Sequence, residues 1–296
     1  MNPQDILRNL KPTRKFFIGI DSDGCAFDTM EIKQKECFCP NLILHFELQK
    51  IQKYAREVWE FVNLYSVHRG VNRFLAVIEA FKLMNERPEV RARHFRVHNT
   101  LSLEEWTGKE TKLGNPALEK FAATVDDPFI HTCLKWSKAV NRAIEEMVYG
   151  MPPFPFVRES LEKMNGHCDA IVVSQTPVEA LEREWKENDI DQYVKFIAGQ
   201  EYGTKAEHLH LAAGGKYNKD NILMIGDALG DLNAARDNGV LFFPINPGHE
   251  EQSWERFYTE GLDMFLAGKY KGSYQDSLMK EFMKYLPENP PWKRGE

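Results

Sequence analysis

The stretch "FFIGIDSDGC" (residues 16–25) carries an apolar run straight into two aspartates, Asp21 and Asp23, divided by a serine and followed by glycine. FFIGI has no polar alternation, so it reads as a strand covered on both faces, as in a parallel sheet lying between helices. Runs of the same kind follow at "AIVV" (170–173), "FIA" (196–198), "ILMI" (222–225) and "VLFFPI" (240–245). Helix signals separate the later ones. Pro177 suits the first turn of a helix reaching about Asn188, Thr204 and Glu207 have capping-box spacing, and Asn238-Gly239 offers a left-handed stop to a helix over 228–238. This alternation predicts the α/β class, with a doubly wound parallel sheet.

The segment between the first two runs has another texture. Tyr54, Val58, Phe61, Val62 and Tyr65 keep helical spacing, as do Phe74, Val77, Ile78 and Phe81, and then Trp136, Val140, Ile144 and Met147. The segment is too long for a loop in a compact domain, so 45–149 is expected to fold as an inserted helical domain, with 1–44 and 150–296 forming the α/β domain. "GMPPFPF" (150–156) marks the return, since its prolines break a helix. The tail "PENPPWKRGE" (287–296) is expected to be poorly ordered. Residues 250–270 have the pattern of an amphipathic helix packed on the sheet domain.

A hydrophobic fraction of 43% supports a real core, and a net charge of −6 offers no field for holding nucleic acid. Arg8, Lys11, Arg14 and Lys15 read as a solvated basic leader. No apolar stretch approaches a bilayer span, and the first residues lack the hydrophobic segment of a secretory signal. The five cysteines, an odd number without a repeated C-x-x-C pattern, fit reduced thiols. The expectation is a cytoplasmic protein without nucleic-acid or membrane partners. Cys37, Cys39 and His45 have weak spacing for metal ligands and read as buried or edge residues.

Ligands of open α/β sheets sit beyond the carboxyl ends of the strands. There this chain places Asp21 and Asp23, then Ser174, then Lys205 near the start of the next helix, and then Asp227 and Asp231. In extended chain, residues i and i+2 face one side, so Asp21 and Asp23 can meet one ligand while Ser22 turns away. Their repulsion is relieved by a cation or by one proton. Mg²⁺, which prefers oxygen ligands, meets the first need. Each residue also has a plainer use. SDG is an ordinary turn, Asp227 suits an N-cap, Asp231 a first-turn acid, Ser174 a cap, and Lys205 a solvated position. Their joint placement at successive strand ends favours one shared site.

In this order, "DSDG" after a strand, "IVVSQT" ending a strand at Ser174, Lys205, and "GDALGD" (226–231) resemble the four motifs of the haloacid dehalogenase-like superfamily. The resemblance covers residues 14–45 and 150–250, and the helical insertion is similar to that family's all-helical cap. It implies Asp21 as nucleophile, Asp23 as general acid/base, Ser174 as phosphoryl binder and Lys205 as the cation steadying both. Asp227 and Asp231 become metal-site acids. The implied metal is Mg²⁺, bound by Asp21, by the main-chain carbonyl of Asp23 and by Asp227, with Asp231 acting through water or by orienting Lys205. The implied activity is a phosphatase acting on a small phosphorylated metabolite through an aspartyl phosphate. The dehalogenase branch lacks an aspartate at the position of Asp23, so phosphate ester chemistry is favoured. The alternatives are a phosphomutase on the same intermediate and a non-catalytic phosphometabolite-binding protein. One departure is Cys25, where the family usually has threonine; a thiol there would be oxidation-sensitive if its pKa were low. In "SVHRGVNRF" (66–74), Arg69 and Arg73 are candidates to hold an acidic substrate group, against the plainer reading of a polar interhelix turn.

Overall fold

The computed structural model describes residues 3–293, which fall into two compact units: 3–30 with 150–287, and 31–149 with 288–293. The first is an α/β unit around a five-stranded sheet. Its strands are β1 (Phe16–Ile20), β2 (Cys168–Val173), β3 (Phe196–Ala198), β4 (Ile222–Gly226) and β5 (Leu241–Pro244), in the order β3-β2-β1-β4-β5. Every pairing is parallel, with Phe16 opposite Cys168, Phe17 opposite Ile222, Ile171 opposite Phe196 and Leu223 opposite Leu241. The residues of β1, β2, β4 and β5 are all buried, as uninterrupted apolar strands require when both faces are covered.

Two cores lie on the two faces. Ile18, Ile20, Val172, Leu223 and Ile225 share one with Trp185, Trp254, Phe257 and Phe265, while Phe17, Ile171, Val173 and Met224 share the other with Leu209, Leu232 and Phe282. The doubly wound arrangement follows from this side-to-side alternation. The covering helices include α1 (Val157–Met164), α2 (Val178–Glu187), α3 (Lys205–Ala213), α4 (Leu229–Asn238) and α5 (Ser273–Tyr285). Pro177 is the N-cap of α2, Thr204 and Glu207 close a reciprocal capping box on α3, and Gly239 ends α4 in the left-handed region at φ 65°. Residues 250–266 are helical with a π turn at Phe257–Gly261, and Trp254, Phe257, Leu262 and Phe265 bury against the sheet.

The second unit is helical, built on Gln52–Leu64, Arg73–Glu86 and Pro128–Met147 with shorter helices between them. Its core gathers Phe46, Trp59, Phe81, Trp106 and Trp136. Its boundary falls after Met30 rather than after residue 44, because Phe38, Cys39, Leu42 and Ile43 bury in that core. The tail departs from its expectation as far as it is described. Pro291–Lys293 make a turn of 3-10 helix, and the Trp292 ring packs on Phe61 at 5.5 Å and under the Arg87 guanidinium at 4.4 Å, while residues 294–296 lie outside the described residues. Among the described residues, no helix is long and apolar enough to cross a membrane.

Candidate active site

The carboxyl ends of β1 and β4 deliver three acids to one place. Asp21 follows β1 directly, and its N–H donates to the Ile225 carbonyl at 3.0 Å, so the ladder holds its backbone. Asp227 follows β4. Asp231 lies on α4 and reaches back to accept from the Ala228 N–H at 3.1 Å. That approach depends on Gly226, since a Cβ there would stand 2.3 Å from Cβ of Asp231. One carboxylate oxygen from each of Asp21, Asp227 and Asp231 lies within 4.8 Å of the others, and all three residues are buried. Asp227 and Asp231 meet there although Asp227 precedes the helix, so their convergence comes from the strand-to-helix turn and not from a shared helical face.

Lys205 opens α3 and joins the group. Its Nζ lies 2.8 Å from Asp21 Oδ2 and 2.6 Å from Asp231 Oδ1. Burial alone would drive a proton off the ammonium, but Asp21 and Asp231 hold its pKa above the ordinary lysine value. Burial pushes the Asp21 carboxyl well up, Lys205 pulls it back, and Asp231 and Asp227 raise it again. Asp231 is raised by burial against the pull of Lys205. Three carboxylates with one ammonium leave two negative charges in excess inside the fold. An all-oxygen donor set of that charge fits a hard divalent cation such as Mg²⁺, with Asp21 and Asp227 placed to hold it directly beyond the ends of β1 and β4, while Asp231 is tied to Lys205 and to the Ala228 N–H.

Asp23 stands outside this group. The chain turns sharply after Asp21: the Ser22 carbonyl accepts the amides of Cys25, Ala26 and Phe27, and Gly24 sits at φ 75°, where glycine is favoured. The turn sends the Asp23 carboxylate to the Thr29 hydroxyl on one oxygen and to the Thr176 hydroxyl, at 2.6 Å, on the other. Ser174 is buried at the end of β2, its N–H donating to the Ala198 carbonyl at 3.0 Å and its Oγ accepting from the Thr176 N–H at 3.2 Å.

Sequence reasoning missed four supports. Thr176 was within reach of it, since the i, i+2 argument made for the two aspartates applies equally from Ser174. Thr29, Gly226 and Trp185, whose indole N–H donates to Ser22 Oγ, give no local signal. Cys25 is fully buried, and its thiol is pushed well up by burial, then by Asp227 and Asp21, so the condition for oxidation sensitivity is not met. Among the described residues, Cys37, Cys39 and His45 form no metal-holding group. The two candidate arginines of the helical unit, Arg69 and Arg73, are both engaged within it. Arg73 stacks on Phe38 at 4.9 Å and donates to Ser137 and Asn141, and buried Arg69 donates to the Leu64 carbonyl at 2.9 Å.

A family model described as haloacid dehalogenase-like hydrolase matches residues 83–245. Among solved structures, the chain is similar to a protein from Lactobacillus delbrueckii subsp. bulgaricus assigned as a phosphoglycolate phosphatase, at 16% identity and TM-score 0.50, covering 86% of this chain and 99% of that one. A haloacid dehalogenase-like hydrolase from Streptococcus pneumoniae shares 16% identity at TM-score 0.44, covering 82% and 90%. Another from Xanthomonas campestris shares 10% at TM-score 0.46, covering 88% and 96%. No curated protein matches the chain in sequence.

Proposed function

The chain belongs to the haloacid dehalogenase-like hydrolases, and from that premise we propose that it is a Mg²⁺-dependent phosphatase of small phosphorylated metabolites, with Asp21 as nucleophile. The observation that supports this most is the buried group of Asp21, Asp227 and Asp231 with Lys205 bridging two of them. A lone buried carboxylate would protonate; one paired with an ammonium and a divalent cation stays ionised and able to attack.

In the proposed reaction an Asp21 carboxylate oxygen attacks phosphorus, the ester oxygen leaves, and Asp23 supplies that oxygen with a proton. Water then attacks the aspartyl phosphate while the Asp23 carboxylate accepts its proton, releasing inorganic phosphate and restoring both acids. This division of labour explains why two neighbouring acids have different surroundings. Asp21 faces a lysine, which favours the ionised form, whereas Asp23 faces two hydroxyls, which can donate to a carboxylate or accept from a carboxylic acid as it changes state. Lys205 and the Ser174 hydroxyl would hold the transferred phosphoryl oxygens, and Asp231 would aim Lys205. Mg²⁺ held by Asp21 and Asp227 would supply charge neutralisation for the phosphoryl group and the acids around it.

The test is turnover of 4-nitrophenyl phosphate with Mg²⁺ and with chelator, in the wild type and in Asp21→Asn. Phosphate release that needs Mg²⁺ and is lost in the variant is expected; full activity in Asp21→Asn would refute the assignment of the nucleophile.

A further inference from the structure

Ser22, between the two acids, takes no part in the reaction above, yet every polar atom it has is used. Its N–H donates to Asp21 Oδ1 at 2.8 Å. Its carbonyl accepts the amides of Cys25 at 3.2 Å, Ala26 at 2.9 Å and Phe27 at 3.0 Å. Its hydroxyl accepts from Trp185 Nε1 at 3.0 Å and donates to Glu184 Oε2 at 3.3 Å. Ser22 and Trp185 are both fully buried, and the indole meets Phe27 edge-on at 5.9 Å, so α2 grips this turn by packing as well as by hydrogen bonds.

The consequence lies in the order of these bonds. The Asp21 carboxylate is held from two sides, by Lys205 on Oδ2 and by the Ser22 amide on Oδ1. Lysine on a flexible stem sets charge but only loosely sets angle. A peptide N–H sets angle, provided the peptide plane cannot tilt. The plane after Asp21 is fixed on its far side by the hydroxyl that Trp185 and Glu184 capture. A buried position between strand and helix needs no polar side chain for packing, and a serine there must find partners or cost stability. Here the partners are supplied from α2.

We propose that Ser22, anchored by Trp185 and Glu184, is a positioning residue that sets the attack angle of the Asp21 carboxylate. The proposal rests on the phosphatase reading above. Reacting atoms must be held near attack geometry, and a misplacement of about 1 Å can cost on the order of 100-fold in rate. Loss of one indirect anchor is therefore expected to lower kcat about tenfold while leaving ground-state binding alone.

The experiment measures kcat and KM for 4-nitrophenyl phosphate with saturating Mg²⁺ in Ser22→Ala, Trp185→Phe and the double variant, with Asp21→Asn alongside and thermal unfolding of each. Trp185→Phe keeps an aromatic ring while removing the N–H. The expected result is kcat about tenfold down in each single variant, KM within about twofold, and the double variant no worse than the weaker single, because both changes break one link. Wild-type kcat in both singles with Asp21→Asn inactive would overturn the positioning role and leave the nucleophile standing. Losses that multiply in the double variant, or that follow the unfolding temperature with a rise in KM, would also overturn it by making the pair a general support of the fold. An active Asp21→Asn would remove the premise instead.

Discussion

Replacing Lys205 by methionine tests the electrostatic account of the site most directly, because it deletes the ammonium and keeps much of the side chain. Its contacts at 2.8 Å to Asp21 and 2.6 Å to Asp231 each correspond to an attraction of about 6 kcal/mol at an effective dielectric near 20. Desolvation of the buried ions offsets much of this, and removing one partner of a buried pair typically costs about 3–5 kcal/mol because the other charge is stranded. The expected loss in chelator at pH 8 is therefore about 3–5 kcal/mol by chemical denaturation. Two dependences separate this cause from lost packing. Burial raises the folded pKa values of Asp21 and Asp231 above the ordinary aspartate range, and removing Lys205 takes away the influence that lowers them. A raised carboxyl binds its proton more tightly folded than unfolded, so stability falls as pH rises from the unfolded value through the folded one. The deficit of Lys205→Met should accordingly shrink between pH 8 and pH 5. The variant itself should gain about 2.7 kcal/mol on adding Mg²⁺ at about 100 times its dissociation constant, since the cation answers the stranded acids. A loss below about 1 kcal/mol, or one indifferent to pH in a variant that gains nothing from Mg²⁺, would contradict the charge-excess argument.

Two further outcomes follow from other buried groups. Asp169, at the start of β2, accepts from the Thr13 N–H at 2.7 Å, the Arg14 N–H at 3.0 Å and the Tyr217 hydroxyl at 2.7 Å, and pairs with Lys195 at 3.0 Å. Asp169→Asn should cost about 3 kcal/mol in urea denaturation with turnover per folded molecule unchanged, since the network lies at the sheet end opposite the site. Although burial acts the other way, the bonds from Thr13, Tyr217 and Lys195 hold its carboxyl well below the usual range, so its contribution is present above the unfolded value near 3.8 and lost as pH falls below it. Cys25 should resist iodoacetamide in the native protein at pH 8 and react only after unfolding, as peptide mass spectrometry would read out, because burial and the three acids suppress its thiolate. Native labelling at that residue would refute the burial argument.

What the sequence disclosed, and what it withheld, follows the range of the interactions concerned. The parallel strands were legible because burial on both faces leaves unbroken apolar runs, and the capping box at Thr204 and Glu207 because its partners are three residues apart. The acids were legible as a set because strand ends of one sheet must converge, although the family model matched at 83–245 leaves "DSDG" outside it, so Asp21 joins the set by geometry. The boundary at Met30 was not legible, since Phe38 and Leu42 carry the same apolar character whichever core they enter, and the Trp292 contact depends on a residue about 200 positions from Arg87 along the chain. The supports of the site share that difficulty. Thr29, Trp185 and Gly226 act through single contacts to residues fixed by other elements, so no periodicity marks them. Charge can be read from a sequence because a buried acid must be answered by something, whereas orientation cannot, because any donor in the right place will serve. Asp21 shows both cases: its lysine follows from the need for a counter-charge, while the serine–tryptophan pair behind it is one solution among many and had to be seen.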